Sequence, residues 1–323
     1  MEIAKILADF PRRSALVVGD ICLDRWCTYD PAAADASRET GIPRIGVVAT
    51  EMTPGAGGTI AGNLAELGVG RVSVLGAIGE DGFGYELRQS LESRGISTSL
   101  LISSDELSTF TYTKLINATS GVEDQPRLDF INTRPLLETA ERKIVAGLRA
   151  SAANFDVIFV SDQAETEHGG VVTPALRELL TQIAPGKVIL ADSRRRAAQF
   201  RNVMLKPNAQ EAACASISLF GCVDYQSLRK HVGAPLLFVT QGPRGVIVVE
   251  DGRETEVATR VIEKPVDICG AGDSFAAGAG MALVVTGSPV EVARFGNLVA
   301  SVTIMKKGTG TASPAEVLAL ACE

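Results

Sequence analysis

Five short apolar runs constrain what this chain can fold into more than any other feature. Ser14 to Gly19 (SALVVG), Asp156 to Ser161 (DVIFVS), Lys187 to Asp192 (KVILAD), Leu236 to Thr240 (LLFVT) and Val246 to Glu250 (VIVVE) are apolar along most of their length and do not alternate with polar residues. Such a run suits a strand buried on both faces, as in a parallel sheet covered by helices. Amphipathic stretches separate the first few runs, which predicts an α/β fold with a central, mostly parallel sheet and helices on both sides. TIAGNLAEL, from Thr59 to Leu67, reads as a helix ended by Gly68, and FGYELRQSLESR, from Phe83 to Arg94, as a second one stopped by Gly95.

Two regions break this rhythm, about 24–51 and 108–130, the latter with the alternating TFTYTKLI and the charged RLDF. They are expected to form strands outside the main sheet, as a small β lid. No linker, charge run or repeat divides the chain, so residues 1–323 are expected to form a single domain carrying that lid. Exposed strand edges on a lid predict pairing with a second subunit, giving a homodimer.

With 46% hydrophobic and 21% charged residues the composition is that of an ordinary globular protein. The net charge of -7 and a pI near 5.1 leave no basic surplus for a nucleic acid or an anionic membrane surface, so small-molecule partners are expected. No signal peptide or bilayer-length apolar run is present, and the expected location is the cytoplasm. Six cysteines without CxxC spacing read as reduced thiols. Two histidines, His168 and His231, give little material for His-based metal sites or Ser/His/Asp chemistry. Catalysis must then rest on carboxylates, backbone amides and cations.

The segment DICGAGDSFAAG, Asp267 to Gly278, supplies all three requirements except the cation. Gly270, Ala271 and Gly272 can turn several N–H groups toward one point, and the helix that opens near Asp273 adds its positive dipole end. A carboxylate inside an anion site is an odd choice unless Asp273 accepts the proton of a hydroxyl while the amides hold a transferring phosphoryl group. An acidic helix cap on a glycine-rich turn is the alternative explanation.

Around this turn the sequence resembles the ribokinase/PfkB family of carbohydrate kinases. The motifs GDICLD (19–24), PGAGGTIAGNLAELG (54–68), GAIGEDGFG (76–84), PNAQE (207–211), VTQGPRG (239–245), DICGAGD (267–273) and KKGTGTASP (306–314) occur in family order over nearly the whole chain. The resemblance implies a ribokinase-like fold and transfer of the γ-phosphate of ATP to a sugar hydroxyl, with ATP and Mg2+ required. It places the sugar against Asp24, Gly57, Gly58 and Thr59, the last standing where the family normally has Asn. It places ATP along Asn208, Glu211, Thr240, Gly242 and Gly245, with Glu211 reaching Mg2+ through water, and it implies a monovalent cation, K+, at Asp267. Cys269 replaces a Thr common in relatives and is expected to be a packed small residue. Lys206 and Lys306 either face the phosphates or are surface charge, the usual place of isolated lysines.

Within the family, GDICLD followed by Arg25 and Trp26, RLDF (127–130), SDQAE (161–165) and KKGTGTASP look most like the branch that phosphorylates heptose 7-phosphate. Arg127 and the run Arg194, Arg195 and Arg196 would supply cations for a phosphorylated acceptor, or the run is a solvated helix face. Asp192-Ser193-Arg194 stands where that branch has Asp-Pro-Lys. No HxGH-type nucleotidyltransferase motif occurs, so this polypeptide is expected to act as a kinase alone. The alternatives are a nucleoside kinase of the same fold, for which 5% aromatics gives limited material to wall a base, and a catalytically silent sugar-binding regulator, which would not need Asp273.

Overall fold

The computed structural model describes residues 3–166 and 168–322. The main sheet is built from β1 (Ser14–Gly19), β4 (Arg71–Gly79), β5 (Ser97–Ser104), β8 (Val157–Asp162), β9 (Val188–Ser193), β10 (Met204–Leu205), β11 (Leu237–Thr240), β12 (Val246–Glu250) and β13 (Arg253–Val257). Its order is β13-β12-β11-β10-β9-β8-β1-β4-β5. From β5 to β11 neighbouring strands run parallel, and β11, β12 and β13 then pair antiparallel. The mostly parallel sheet read from the apolar runs is therefore present.

The continuity of those runs has a direct physical cause. Because strand side chains alternate between faces, Ala15 and Val17 of β1 enter one core while Leu16 and Val18 enter the other. On β8, Val157 and Phe159 divide from Ile158 and Val160 in the same way. The first core is closed by α1 (Ile3–Asp9), α2 (Gly57–Glu66), α3 (Gly82–Glu92), α8 (Ala271–Leu283), α9 (Pro289–Thr303) and α10 (Pro314–Cys322). The second is closed by α4 (Glu138–Ser151), α5 (Pro174–Ile183), α6 (Ala209–Phe220) and α7 (Tyr225–Val232).

A second, four-stranded sheet has the order β3-β2-β6-β7, from β2 (Ile21–Tyr29), β3 (Val47–Ala56), β6 (Thr111–Asn117) and β7 (Leu128–Phe130). It is the small β lid. The chain passes from main sheet to lid at Asp20, between β1 and β2. The fully buried Asp20 carboxylate accepts N–H bonds from Gln163 (2.8 Å), Ala164 (3.1 Å) and Val171 (2.7 Å), which fastens the loop after β8 to this crossing.

The small residues of α8 let it lie close on the sheet and on α9. A Cβ at Gly280 would stand 2.1 Å from the ring of the fully buried Phe159, and one at Gly278 would stand 2.8 Å from Val299. Asn63 of α2 then clamps the start of α8, donating to Ser274 Oγ (3.2 Å) and the Thr59 carbonyl (3.1 Å). These contacts fix the position of Asp273 in the first turn of α8. Gly280→Ala is expected to lower stability by roughly 1–3 kcal/mol through overpacking, read as a lower urea midpoint at unchanged m-value. An unchanged midpoint would show that Phe159 gives way without cost.

Candidate active site

Two cavities meet where α8 begins. The smaller, about 120 Å³, lies under the lid and is lined by Asp24, Arg25, Tyr112, Lys114 and Arg127 of the lid region together with Thr59 and Cys269. The larger, about 740 Å³, is lined by Lys206, Asn208, Glu211, Thr240, Gly242, Ile262, Ile268 and the turn Gly270–Gly272. Gln163, Arg194, Gly270 and Asp273 line both. The carboxylate singled out from the sequence is thus at the junction of two compartments.

Asp273 keeps contact with the cavities, but the protein around it removes most of its solvent. That desolvation, with repulsion from Asp192, raises its pKa to about 7 against the opposing pull of Lys206 and Arg194. Lys206 is 2% exposed and pairs with Asp192 at 2.9 Å. Burial disfavours its ammonium, yet Asp192, Glu211 and Asp273 outweigh burial and raise its pKa. A Cβ on Gly272 would lie 3.3 Å from Lys206 Nζ, so the ammonium sits against the turn. Lys206 is therefore not a surface charge. The signal in the sequence was its place beside Pro207 and Asn208 at the end of a strand.

The turn itself is more specific than its composition suggested. Gly270 caps α8 in the left-handed region, φ +74°, which favours glycine. The amide of Ala271 is taken by the Ile268 carbonyl (3.2 Å). Ala271 therefore does not offer its N–H to a ligand, whereas the amides of Gly272 and Asp273 have no acceptor among the described residues.

Asp24 faces the smaller cavity from β2, and its pKa is raised to about 6, chiefly by burial, with Lys114, Arg127 and Arg194 pulling it down. Gly55 makes room for it, since a Cβ there would fall 2.5 Å from the Asp24 carboxyl. Gly57 and Gly58 line neither cavity. They pack against Ile21, Asp20 and Pro54, at the crossing from main sheet to lid. The backbone conformation rare for a side chain belongs to Ala56, φ +53°, on the cavity wall. Thr59 lines the cavity, but its hydroxyl donates to the Pro54 carbonyl (3.2 Å) and its methyl faces Gly270.

Arg127 reaches the cavity while held bidentate by Asp129 (2.7 and 2.6 Å) over the Tyr112 ring. Cys269 is not a packed residue, for its Sγ is 3.4 Å from Lys114 Nζ on the cavity wall. Arg25, unassigned from the sequence, lines the same wall. Its guanidinium lies over Phe83, makes no ion pair among the described residues and leaves a buried Nε without a partner. The three consecutive arginines do not share a helix face. Arg194 enters the site and bonds Gln163 (2.8 Å), Arg195 is exposed, and Arg196 pairs with the buried Asp162.

On the larger cavity, Asn208 and Glu211 form a reciprocal capping box on α6 (2.8 and 2.9 Å). Burial and then Asp192 raise the pKa of Glu211. Thr240 is stitched beside Asn208 through its N–H to the Pro207 carbonyl (3.0 Å), and Gly242 opens the following turn. Gly245 lines neither cavity and occupies the turn at φ +94°. Asp267 also lines neither. It accepts from the amides of Cys269 (2.9 Å) and Gly308 (3.2 Å), tying two loops together behind the turn. Lys306 bonds the Thr311 carbonyl and Glu316, away from both cavities. No cluster of three or more His, Cys, Asp or Glu suited to a metal occurs among the described residues, and no helix among them is long and apolar enough to cross a membrane.

This geometry can be set beside known proteins. The family profile of the pfkB family carbohydrate kinases matches residues 15–316. The "Bifunctional protein HldE" of Pelobacter propionicus is 29% identical over 319 residues, covering 94% of this chain and 62% of the relative, and that of Caulobacter sp. strain K31 is 30% identical, covering 99% and 65%. The chain thus spans a little under two thirds of the curated relatives it matches. Among solved structures, ribokinase from Thermotoga maritima superposes with a TM-score of 0.69 at 19% identity, covering 96% of this chain and 100% of that one. Phosphofructokinase-2 from Escherichia coli gives 0.73 at 18% identity, covering 96% and 98%. These likenesses establish the ribokinase-like fold, and the profile match establishes more: the chain belongs to the pfkB family of carbohydrate kinases, enzymes that transfer a phosphoryl group to an alcohol.

Proposed function

We propose that this kinase transfers the γ-phosphate of ATP to a hydroxyl of an already phosphorylated sugar, heptose 7-phosphate being the candidate, with Asp273 as the base. The observation that carries the reading is the position of Asp273, shared by a small polar cavity under the lid and a large one with an apolar wall. The acceptor hydroxyl lies on one side of the carboxylate and the nucleotide on the other. Ile262, Pro265 and Ile268 offer that apolar wall to the adenine. The free amides of Gly272 and Asp273 and the ammonium of Lys206 meet the phosphates.

A sugar phosphate fits the smaller cavity by charge. Arg25, Lys114, Arg127 and Arg194 line it against Asp24, Glu165 and Asp273. Three of the cations already have carboxylate partners, at 3.7 Å for Lys114 with Glu123, 2.6 Å for Arg127 with Asp129 and 3.7 Å for Arg194 with Glu165. Arg25 does not, so it is the donor left for an acceptor phosphate. Asp24 would hold sugar hydroxyls.

Glu211, lining the larger cavity, is the carboxylate that a hard cation carried by the nucleotide would meet. Magnesium would be held there through water by Glu211 and would neutralise phosphate charge. The K+ reading at Asp267 rests on the resemblance and on phosphofructokinase-2, whose structure was solved in complex with potassium. Each Asp267 oxygen accepts one amide and keeps a lone pair for such an ion. Homodimerisation through the lid is supported by exposed Val47, Val48, Met52, Leu128 and Phe130 on its edge strands β3 and β7. The single domain with its lid, acting in the cytoplasm, completes the proposal.

Asp273→Asn should lower kcat by about 10²–10⁴-fold with little change in the KM for ATP. Turnover within a few-fold of wild type would remove Asp273 from the reaction. A base must be ionised to accept a proton, so wild-type kcat/KM, which reports the free enzyme, should rise with pH through a midpoint near 7 and fall away toward pH 6. A profile flat between pH 5.5 and 8.5, spanning that midpoint, would contradict the assignment. Arg25→Met should reduce kcat/KM roughly ten- to a hundredfold for heptose 7-phosphate and leave a sugar lacking the phosphate unaffected. Equal losses on both would place the acceptor phosphate elsewhere. Light scattering after size exclusion should return twice the chain mass, and a monomer would refute the lid dimer.

A further inference from the structure

A third cavity, about 680 Å³, shares no lining residue with the two that meet at Asp273. It lies between the loop after β8, the start of α5 and the loop after β9. Three guanidinium groups line it, those of Arg177, Arg195 and Arg196, and Glu141 is the one carboxylate facing them among the described residues. In a chain of net charge -7 such a concentration of cations requires a reason.

Arg177 is the informative member. It is 9% exposed and uses one Nη to donate to the Val172 carbonyl at 2.7 Å. It makes no ion pair among the described residues, although an arginine so deeply placed ordinarily has one. The nearby carboxylate, Asp162, is fully buried and is already engaged by Arg196 Nε (3.1 Å) and Nη2, and by Ser193 Oγ (2.6 Å). Burial lowers the pKa of Arg177, with Asp162 opposing and Arg196 reinforcing that shift, as expected where cations outnumber anions. The remaining guanidinium donors of Arg177 have no acceptor among the described residues, and the cavity is the open side. Thr173, which caps α5 through the Leu176 amide (3.3 Å), also lines it, so the positive end of a ten-residue helix faces the same space.

We propose that this cavity binds the phosphate group of a small phosphorylated metabolite, at a site separate from the catalytic cleft. A dianionic phosphate matches bidentate guanidinium geometry, and the volume exceeds what a bare phosphate needs, which selects a phosphate ester over the free ion. Occupancy would be felt in the cleft through the segment 192–196. The Arg196 amide donates to Ser193 Oγ (2.9 Å), the Arg194 amide to the Asp162 carbonyl (3.0 Å), Arg194 lines both catalytic cavities, and Asp192 holds Lys206. The proposal does not depend on the identity of the acceptor sugar.

Calorimetric titration of glucose 6-phosphate and of inorganic phosphate into the nucleotide-free protein tests it, with Arg177→Met and the exposed Arg195→Ala as variants and selenate-soaked crystals as locator. The expected result is anomalous density beside Arg177 and Arg196, a phosphate ester bound more tightly than inorganic phosphate, and a roughly ten- to hundredfold loss of affinity in Arg177→Met. Should Arg177→Met fail to fold, Arg195→Ala must still weaken binding severalfold. Inorganic phosphate binding as tightly as the ester would refute the ester. A cavity without density at saturating selenate, or density there with affinities unchanged in both variants, which marks an adventitious ion only, would overturn the site.

Discussion

The ammonium of Lys206 lies 2.9 Å from Asp192, nearly sealed from solvent, and the charge balance of the cleft follows from that contact. Asp192, Glu211 and Asp273 face one cavity, and burial followed by the charge of Asp192 raises the pKa of both Glu211 and Asp273. Without a cation among them, three carboxylates would resist ionising together. Lys206 offsets part of this repulsion while standing against the turn where a phosphate would arrive. The result is a carboxylate whose proton affinity is matched to a hydroxyl reaction near neutral pH.

Placement of that carboxylate is a packing problem solved by small side chains. Gly278 and Gly280 bring α8 onto α9 and the sheet, and Asn63 ties its first turn to α2. Asp20, at the strand crossing, holds the loop that carries Gln163. Since the lid begins at the next residue, one buried aspartate links main sheet, lid and cleft. The cleft is therefore a product of the topology, at the C-terminal ends of β1, β8 and β9, where open α/β sheets bind their ligands.

The fold was legible because its strands are apolar on both faces and its glycine-rich turns come in a family order. Asp24 lines the smaller cavity, Asn208, Glu211, Thr240 and Gly242 the larger, and Asp273 both. What sequence could not show was which partner each group would meet. Gly57 and Gly58 look the same as ligand-facing glycines, yet they face Asp20 and Pro54. The Thr59 hydroxyl is spent on a carbonyl five residues back. Lys206 and Lys306 have equal standing as isolated lysines, and only the depth of β10 separates the cleft residue from the one that bonds Glu316. Arg25 could be recognised as an unpaired cation only once its neighbours were known to be Phe83 and the cavity.

The central claim is that Asp273 is a carboxylate poised between two compartments and desolvated enough to ionise near neutrality. The most direct measurement is a 13C NMR titration of its carboxyl carbon in the ligand-free enzyme, assigned by its loss in Asp273→Asn. The account predicts a midpoint near 7. A midpoint near the ordinary aspartate value of 3.8 would contradict it, leaving a solvated acid with no special standing as a base.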